Sequence, residues 1–302
     1  MSHTYDITLV TKADYVNPIN PNTYVNNILL EDNLVMSALK AQGLNVHRVS
    51  WDDAAFDWSS TASVLIRATW DYFERIDAFR VWLHNTTKLT RFINPYPLLL
   101  WNMDKHYLQT LSGHGVAIAP TRFINQGELQ TLSSLFRETG FREVVIKPAI
   151  GGGGYHTYRI RADHIDMYES IFADLIKQES LLFQQFQSSV LSFGEISLMF
   201  FAGHYSHAIR KQAKKGEFRV QDDFGGTVTA YEADMATIAL AKNILSLCQP
   251  IPHYARVDLI ADGADSWYLS ELELIEPELW FRFKPDSASR FAEHLTSLTC
   301  AV

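Results

Sequence analysis

Cysteine is almost missing from this sequence: Cys248 and Cys300 are the only two in 302 residues. Two thiols in so long a chain make no disulfide scaffold, and neither stands in a pair spaced for zinc. Basic runs are missing as well. The formal net charge is −8, which excludes nucleic acid as a partner and means that an anionic ligand must be held by a few placed cations or by metal. No apolar stretch reaches the roughly 20 residues that span a bilayer. The first residues, MSHTYDITLV, lack a basic segment followed by a long apolar one, so a soluble cytoplasmic protein is expected, with no membrane association. There is no internal repeat and no low-complexity segment. Apolar residues are plentiful, at 47% with 13% aromatic. That is enough for two or three cores and argues against disorder.

The hydrophobic pattern predicts an α/β protein that turns α+β towards its C-terminal part. Within residues 1–97, strands at 7–10, 46–49 and 64–66 alternate with helices at 32–42 and 78–87, which points to a mostly parallel sheet. The stretch INPYPLLLWN, with Pro95 and Pro97, breaks the pattern and sets the first boundary. A middle unit, 98–186, should hold a helix at 104–112, strands at 116–119, 144–147, 155–160 and 181–185, and a helix at 167–178. In the last unit, 187–302, strands at 195–201 and 204–211 meet at Gly203, and strands at 256–260 and 266–275 flank the turn sequence ADGAD. Both read as antiparallel hairpins. Helices are expected at 234–248 and 287–298.

The run Val145-Ile-Lys-Pro-Ala-Ile-Gly-Gly-Gly-Gly154 carries the most chemical information. Four consecutive glycines give up much backbone entropy on folding. Their use is close backbone approach, with bare N–H groups around phosphate oxygens and Lys147 adding its ammonium. A flexible turn beside a surface lysine is the competing reading. No Gly-Lys-Ser/Thr follows, so this is no Walker A loop, and a strand rather than a helix comes next, so it is no dinucleotide fingerprint.

A second cluster is acidic. In Arg256-Val-Asp-Leu-Ile260, Arg256 and Asp258 share one strand face, and in Ser270-Glu-Leu-Glu273 so do Glu271 and Glu273. Pairing across the turn would bring three carboxylates together. Such a group repels itself and calls for a cation, and all-oxygen ligands suit Mg²⁺. A solvated acidic face would show the same pattern.

Together and in this order, the two features resemble the ATP-grasp superfamily. The resemblance is to its glutathione-synthetase-like members, among them the group containing the cycloserine-forming ligase, and it runs from about residue 60 to residue 290. It implies an ATP-grasp fold behind an N-terminal α/β pre-ATP-grasp domain. It also implies that Lys105, in Trp101-Asn-Met-Asp-Lys105, and Lys147 reach the ATP phosphates, with Gly151, Gly152, Gly153 and Gly154 as the mobile loop. Gln184, Gln185 and Phe186 match the hinge whose backbone reads adenine, and Glu195 the residue that takes the ribose hydroxyls. The segments His207–Lys211 and Gly216–Arg219 match a strand and loop whose basic residues, Lys211 and Arg219, face the reacting phosphates. Phe224-Gly-Gly226 resembles an adjoining glycine-bearing segment. Asp258, Glu271 and Glu273 match the metal ligands. The third is commonly asparagine in the superfamily, so one or two Mg²⁺ are both compatible, and Mn²⁺ could substitute.

The implied activity is an ATP- and Mg²⁺-dependent carboxylate–amine ligase, ADP-forming, that activates a small amino-acid-like substrate as an acyl phosphate. A small-molecule kinase and a non-catalytic nucleotide-binding module are the alternatives. The acceptor is expected beyond the strand at 64–66, since ligands of open α/β sheets lie past the carboxyl ends of strands. There Arg67 would clamp a carboxylate, Trp70 and Tyr72 would wall the pocket and Asp71 would take an ammonium, with Arg256 and Glu276 facing the same space. A packed Trp beside an Arg–Asp pair at a domain interface is the other reading. His207 and His156 are expected to be incidental. A homodimer is the default assembly.

Overall fold

The computed structural model describes residues 3–220, 225–263 and 266–299. The first sheet is built from β1 (Ile7–Thr11), β2 (Val46–Ser50), β3 (Ser63–Ile66) and β4 (Arg91–Ile93), in the order β2-β1-β3-β4 and parallel throughout. A short helix, α1 (Ala13–Val16), and a long one, α2 (Thr23–Ala41), follow β1, and α3 (Ile76–Thr86) precedes β4. Helix α2 starts nine residues before the expected point. Asn22 caps it by accepting a hydrogen bond from the Val25 N–H at 2.9 Å. Its buried face includes Glu31 and Asp32 beside Ile28, Val35 and Leu39. Two acids on the inner face hide the helical stripe from a hydrophobicity reading.

The proline stretch is a helix rather than a break. In α4 (Tyr96–Met103), Pro95 is the N-cap and Pro97 falls in the first turn, where a missing N–H costs nothing. Helix α5 (Tyr107–Gly113) follows. The expected strand at 116–119 is reduced to one bridge, Ile118 to Leu269. The strand proper is β5 (Thr121–Ile124), and an unforeseen helix, α6 (Leu132–Thr139), follows it, capped reciprocally by Thr131 and Ser134. With β6 (Glu143–Pro148), β7 (Tyr158–Arg161), α7 (Glu169–Gln178) and β8 (Leu181–Gln185), β5 completes an antiparallel sheet of order β5-β8-β6-β7.

The third sheet follows a one-turn helix, α8 (Ser189–Ser192). It comprises β9 (Glu195–Phe201), β10 (His204–Gln212), β11 (Thr227–Tyr231), β12 (Tyr254–Ala261) and β13 (Trp267–Glu273), ordered β11-β10-β9-β12-β13 and antiparallel. Ala202 and Gly203, both at positive φ, turn the β9–β10 hairpin. Strand β9 is apolar along nearly its whole length because both faces are covered. Ile196, Leu198 and Phe200 join a core with Leu108, Leu111 and helix α9 (Met235–Ser246). Met199 and Phe201 join another with the first sheet, α2 and the closing helix α10 (Asp286–Thr299).

Candidate functional site

Two cavities meet between these sheets. The first is a cleft of about 140 Å³ between the second and third sheets, lined by Lys147 at the end of β6, the loop Gly151–Gly154, the hinge Gln184–Gln187, and Phe218 and Arg219. One end is apolar, with Val145, Phe186, Val190 and Ile260. The Phe186 and Phe218 rings stand edge to face at 6.3 Å. The Arg159 guanidinium covers the Phe186 ring at 4.0 Å. The other end is charged. Lys147 lies 3.2 Å from Glu271. Lys105, only 8% exposed, hydrogen-bonds the Gly151 carbonyl, and its backbone N–H donates to Ala149 at 2.8 Å. Glu271 is held below the usual carboxylate range: burial acts against its charge, but Lys105 and Lys147 outweigh burial.

The second cavity, about 350 Å³, shares Lys105, Gly151, Gly152, Gly153 and Glu271 with the first. Beyond that shared wall stand Tyr15, Tyr24, Trp70, Tyr72, Phe73 and Trp280. Its floor is an ion-pair network across β9, β10, β12 and β13. The register sets Asp258 opposite Glu271 and Arg256 opposite Glu273. Arg256 binds Asp258 at 2.8 Å and also Glu273. Lys211 binds Glu195 at 2.5 Å and Asp258 at 3.4 Å. Burial pushes up the carboxyls that this network leaves underpaired. Glu276 rises to about 8 by burial and the neighbouring Glu273. Glu273 rises to about 7, burial and the charges of Asp258 and Glu271 prevailing over Arg256. Asp258 falls to about 2, because Arg256 and Lys211 overcome its burial.

The sequence of a curated protein matches nearly all of this chain. The cycloserine biosynthesis protein DcsG of Streptomyces lavendulae is 32% identical over 272 residues, 86% of this chain and 91% of that protein. The chain belongs to the D-cycloserine synthetase family of ATP-grasp ligases. A family model described as the N-terminal domain of D-cycloserine synthetase DcsG matches residues 7–94. The crystal structure of that synthetase superposes with a TM-score of 0.84 at 29% identity, covering 97% of this chain and 99% of the other. ATP-grasp ligase PsnB, complexed with a phosphomimetic variant of its minimal precursor, Mg and ADP, has the same fold, with a TM-score of 0.64 at 14% identity over 99% and 100% of the two chains. The protein is thus an enzyme that uses ATP to form a carbon–nitrogen bond.

Within this ligase the expected site residues divide. Lys105, Lys147, the four glycines, Gln184, Gln185, Phe186 and Arg219 all line the first cleft. Gln185 and Phe186 already donate their backbone N–H groups to the carbonyls of Pro120 (2.8 Å) and Glu143 (3.0 Å). Arg219 is paired with Glu217 at 2.7 Å. Glu195, expected at the ribose, lines the second cavity instead and is turned into the Lys211 pair. Phe224 lies outside the described residues, while Gly225 and Gly226 lead into β11.

Trp70, Tyr72, Arg256 and Glu276 come together in the second cavity. Arg67 and Asp71 do not. Arg67 turns inward to Asp32 at 3.1 Å and lies over the Phe281 ring at 5.6 Å. Asp71 accepts from the Trp51 indole N–H at 2.9 Å. Both side chains are taken up by packing partners, Asp32 and Trp51, rather than by each other. A buried guanidinium must keep an acid partner, and α2 supplies one that the sequence pattern did not reveal. The sequence reading also missed Tyr15, Tyr24, Phe73, Glu278 and Trp280 in the cavity wall. Tyr15 and Tyr24 flank the turn-rich NPINPN past the end of β1, the same signal that pointed beyond β3. Trp280 carries no such signal: it sits at φ +53 after the last strand.

The cation expected among Asp258, Glu271 and Glu273 is, in the fold, first of all a set of protein cations: Arg256, Lys211 and Lys147. Among the described residues no group of three or more His, Cys, Asp or Glu side chains is gathered tightly enough to hold a metal ion by itself. The donor set nevertheless suits Mg²⁺: hard carboxylate oxygens of Asp258, Glu271 and Glu273 around the second cavity, with Glu271 also lining the cleft, and Glu273 driven towards protonation by burial and by the other two.

Proposed function

We propose that ATP occupies the cleft between the second and third sheets, that a small amino-acid-like substrate occupies the adjoining cavity, and that the substrate carboxylate is activated as an acyl phosphate where the two meet. The shared wall of Lys105, Gly151–Gly153 and Glu271 carries this reading. There a phosphate in one cavity and a carboxylate in the other would be neighbours, beneath a lysine.

When bound, ATP supplies the phosphoryl group that makes a carboxylate electrophilic, and Mg²⁺ offsets phosphate charge. Glu271 and Glu273, with Asp258, would hold the metal, one ion or two. Glu271 would exchange its pair with Lys147 for the metal, freeing that ammonium for the phosphates. Lys105, Lys147 and Arg219 balance the negative charge that develops during transfer. The base packs at the apolar end, against Phe186 and Phe218. On the acceptor side, Lys211 and Arg256 orient the floor, and an ammonium group faces Glu276 in the cavity that Trp70 and Tyr24 also line. The relative DcsG is described as a cycloserine biosynthesis protein and D-cycloserine synthetase, and a molecule of cycloserine's size fits a cavity of about 350 Å³.

The test is a phosphate-release screen over D- and L-amino acids, ureido-amino acids and short peptides with MgATP, repeated with hydroxylamine. An acyl phosphate yields a hydroxamate. Phosphate transfer that gives a stable phosphorylated product and no hydroxamate would assign the enzyme to the kinases instead.

A further inference from the structure

Phe73 belongs to the first domain, yet its ring touches the nucleotide loop. A Cβ built on Gly152 would lie 3.2 Å from Phe73 Cε1 and 3.4 Å from Cδ1. Gly152 is not among the residues at positive φ, so its backbone does not demand glycine. The ring facing it leaves little room: it would have to give by a few tenths of an ångström to admit a Cβ. The same ring lies 5.3 Å from Tyr155, which closes the loop, and 5.6 Å from Tyr72 in the acceptor wall. Tyr155 stacks on His156 at 3.8 Å, and Glu179 holds His156 at 3.0 Å. One aromatic chain therefore runs from the acceptor cavity to the helix–strand layer behind the glycine loop. Lys105 grips the opposite side of the loop through the Gly151 carbonyl.

We infer that Phe73 is a positioning residue that latches the glycine loop onto the acceptor domain, so that closure over the nucleotide and closure over the acceptor are one movement. The consequence for the reaction rests on the acyl-phosphate reading above. A loop held by Phe73 keeps water from the activated carboxyl, and a loop without it still admits ATP but no longer seals. An aromatic contact adds about 0.5–1.5 kcal/mol beyond its area, so the loop should open about three- to tenfold more often once the ring is removed.

Hydrogen exchange read by mass spectrometry tests this on the full chain with saturating Mg²⁺ and a non-hydrolysable ATP analogue. In wild type, peptides covering 150–156 and 183–187 should both be protected. In Phe73→Ala the hinge peptide should stay protected, showing that nucleotide is bound, while the loop peptide exchanges about three- to tenfold faster. Phe73→Tyr should restore protection. Gly152→Ala, which crowds the ring without altering Phe73, should also loosen the loop, and Phe73→Leu in that background should recover part of the loss. Loop protection equal to wild type in both Phe73→Ala and Gly152→Ala would overturn the inference. A second arm measures ADP formed per hydroxamate trapped, which should rise in Phe73→Ala. If wild type traps no hydroxamate, the acyl-phosphate reading fails, and the exchange result still decides the latch.

Discussion

Arg67 and Trp70 stand three residues apart past the end of β3 and have different fates. Arg67 is 4% exposed and shares Asp32 with Arg48, whose Nε is 2.8 Å from it. Breaking a buried ion pair costs about 3–5 kcal/mol. With Arg48 still holding Asp32, Arg67→Ala should cost about 2–3 kcal/mol and lower the melting temperature. In the folded fraction, KM for ATP and for the acceptor should stay near wild type. Trp70 faces the cavity and donates its indole N–H to the Glu276 carbonyl at 3.0 Å. Trp70→Ala should raise the acceptor KM and leave that for ATP nearly unchanged. Melting curves beside two-substrate kinetics check both, and a selective acceptor KM effect in a stable Arg67→Ala would return Arg67 to the substrate.

Strand β10 shows what a single element does at two places. Lys211, near its end, is buried in the site. His207, on the same strand, supports the last segment of the chain by placing Nε2 3.2 Å from the Trp280 carbonyl, with Ser206 Oγ 3.0 Å from Nδ1. Both nitrogens are satisfied in the neutral ring. Burial lowers this histidine from 6.5 to about 4. The unfolded chain therefore takes up a proton that the folded chain refuses. The stability involved is complete above about pH 6.5 and is lost as pH falls towards 4, up to about 3 kcal/mol. His207→Gln should flatten this part of the pH–stability curve measured by denaturant titration. An acid limb of wild-type steepness in that variant would place the lability elsewhere.

Over the whole molecule, the two ends of the chain form one core. Helix α10 packs with α2 against the first sheet, and Phe291 stacks on Phe201 at 4.7 Å and near Phe281 at 6.0 Å. Glu31 in α2 accepts from the backbone N–H groups of Phe281 and Arg282 at 2.8 and 2.9 Å. Helix α10 thus completes the core of the first sheet. Phe291→Ala should cost about 3–5 kcal/mol, and ending the chain at Pro285 should abolish a cooperative transition of the first sheet. Calorimetry decides: a truncated chain melting at the wild-type midpoint would show that the first domain has a core of its own.

Composition and local order were enough to determine the parallel first sheet, both C-terminal hairpins, the glycine loop with Lys147, and the acidic face of β12 and β13. These depend on period, turn residues and register, all of which are local. Helix α4 was hidden because proline reads as a break unless its place in the first turn is known, and the start of α2 because its inner face is partly acidic. Tertiary structure alone decided what each charge does. Lys147 and Glu271 are 124 positions apart and in contact, and Arg67 meets Asp32 rather than a ligand. Glu195 pairs with Lys211, and Phe73 crosses from the first sheet's unit to the glycine loop. A side chain's type states what it can bind, but whether that capacity is left for a substrate depends on which partner the fold brings within about 3 Å.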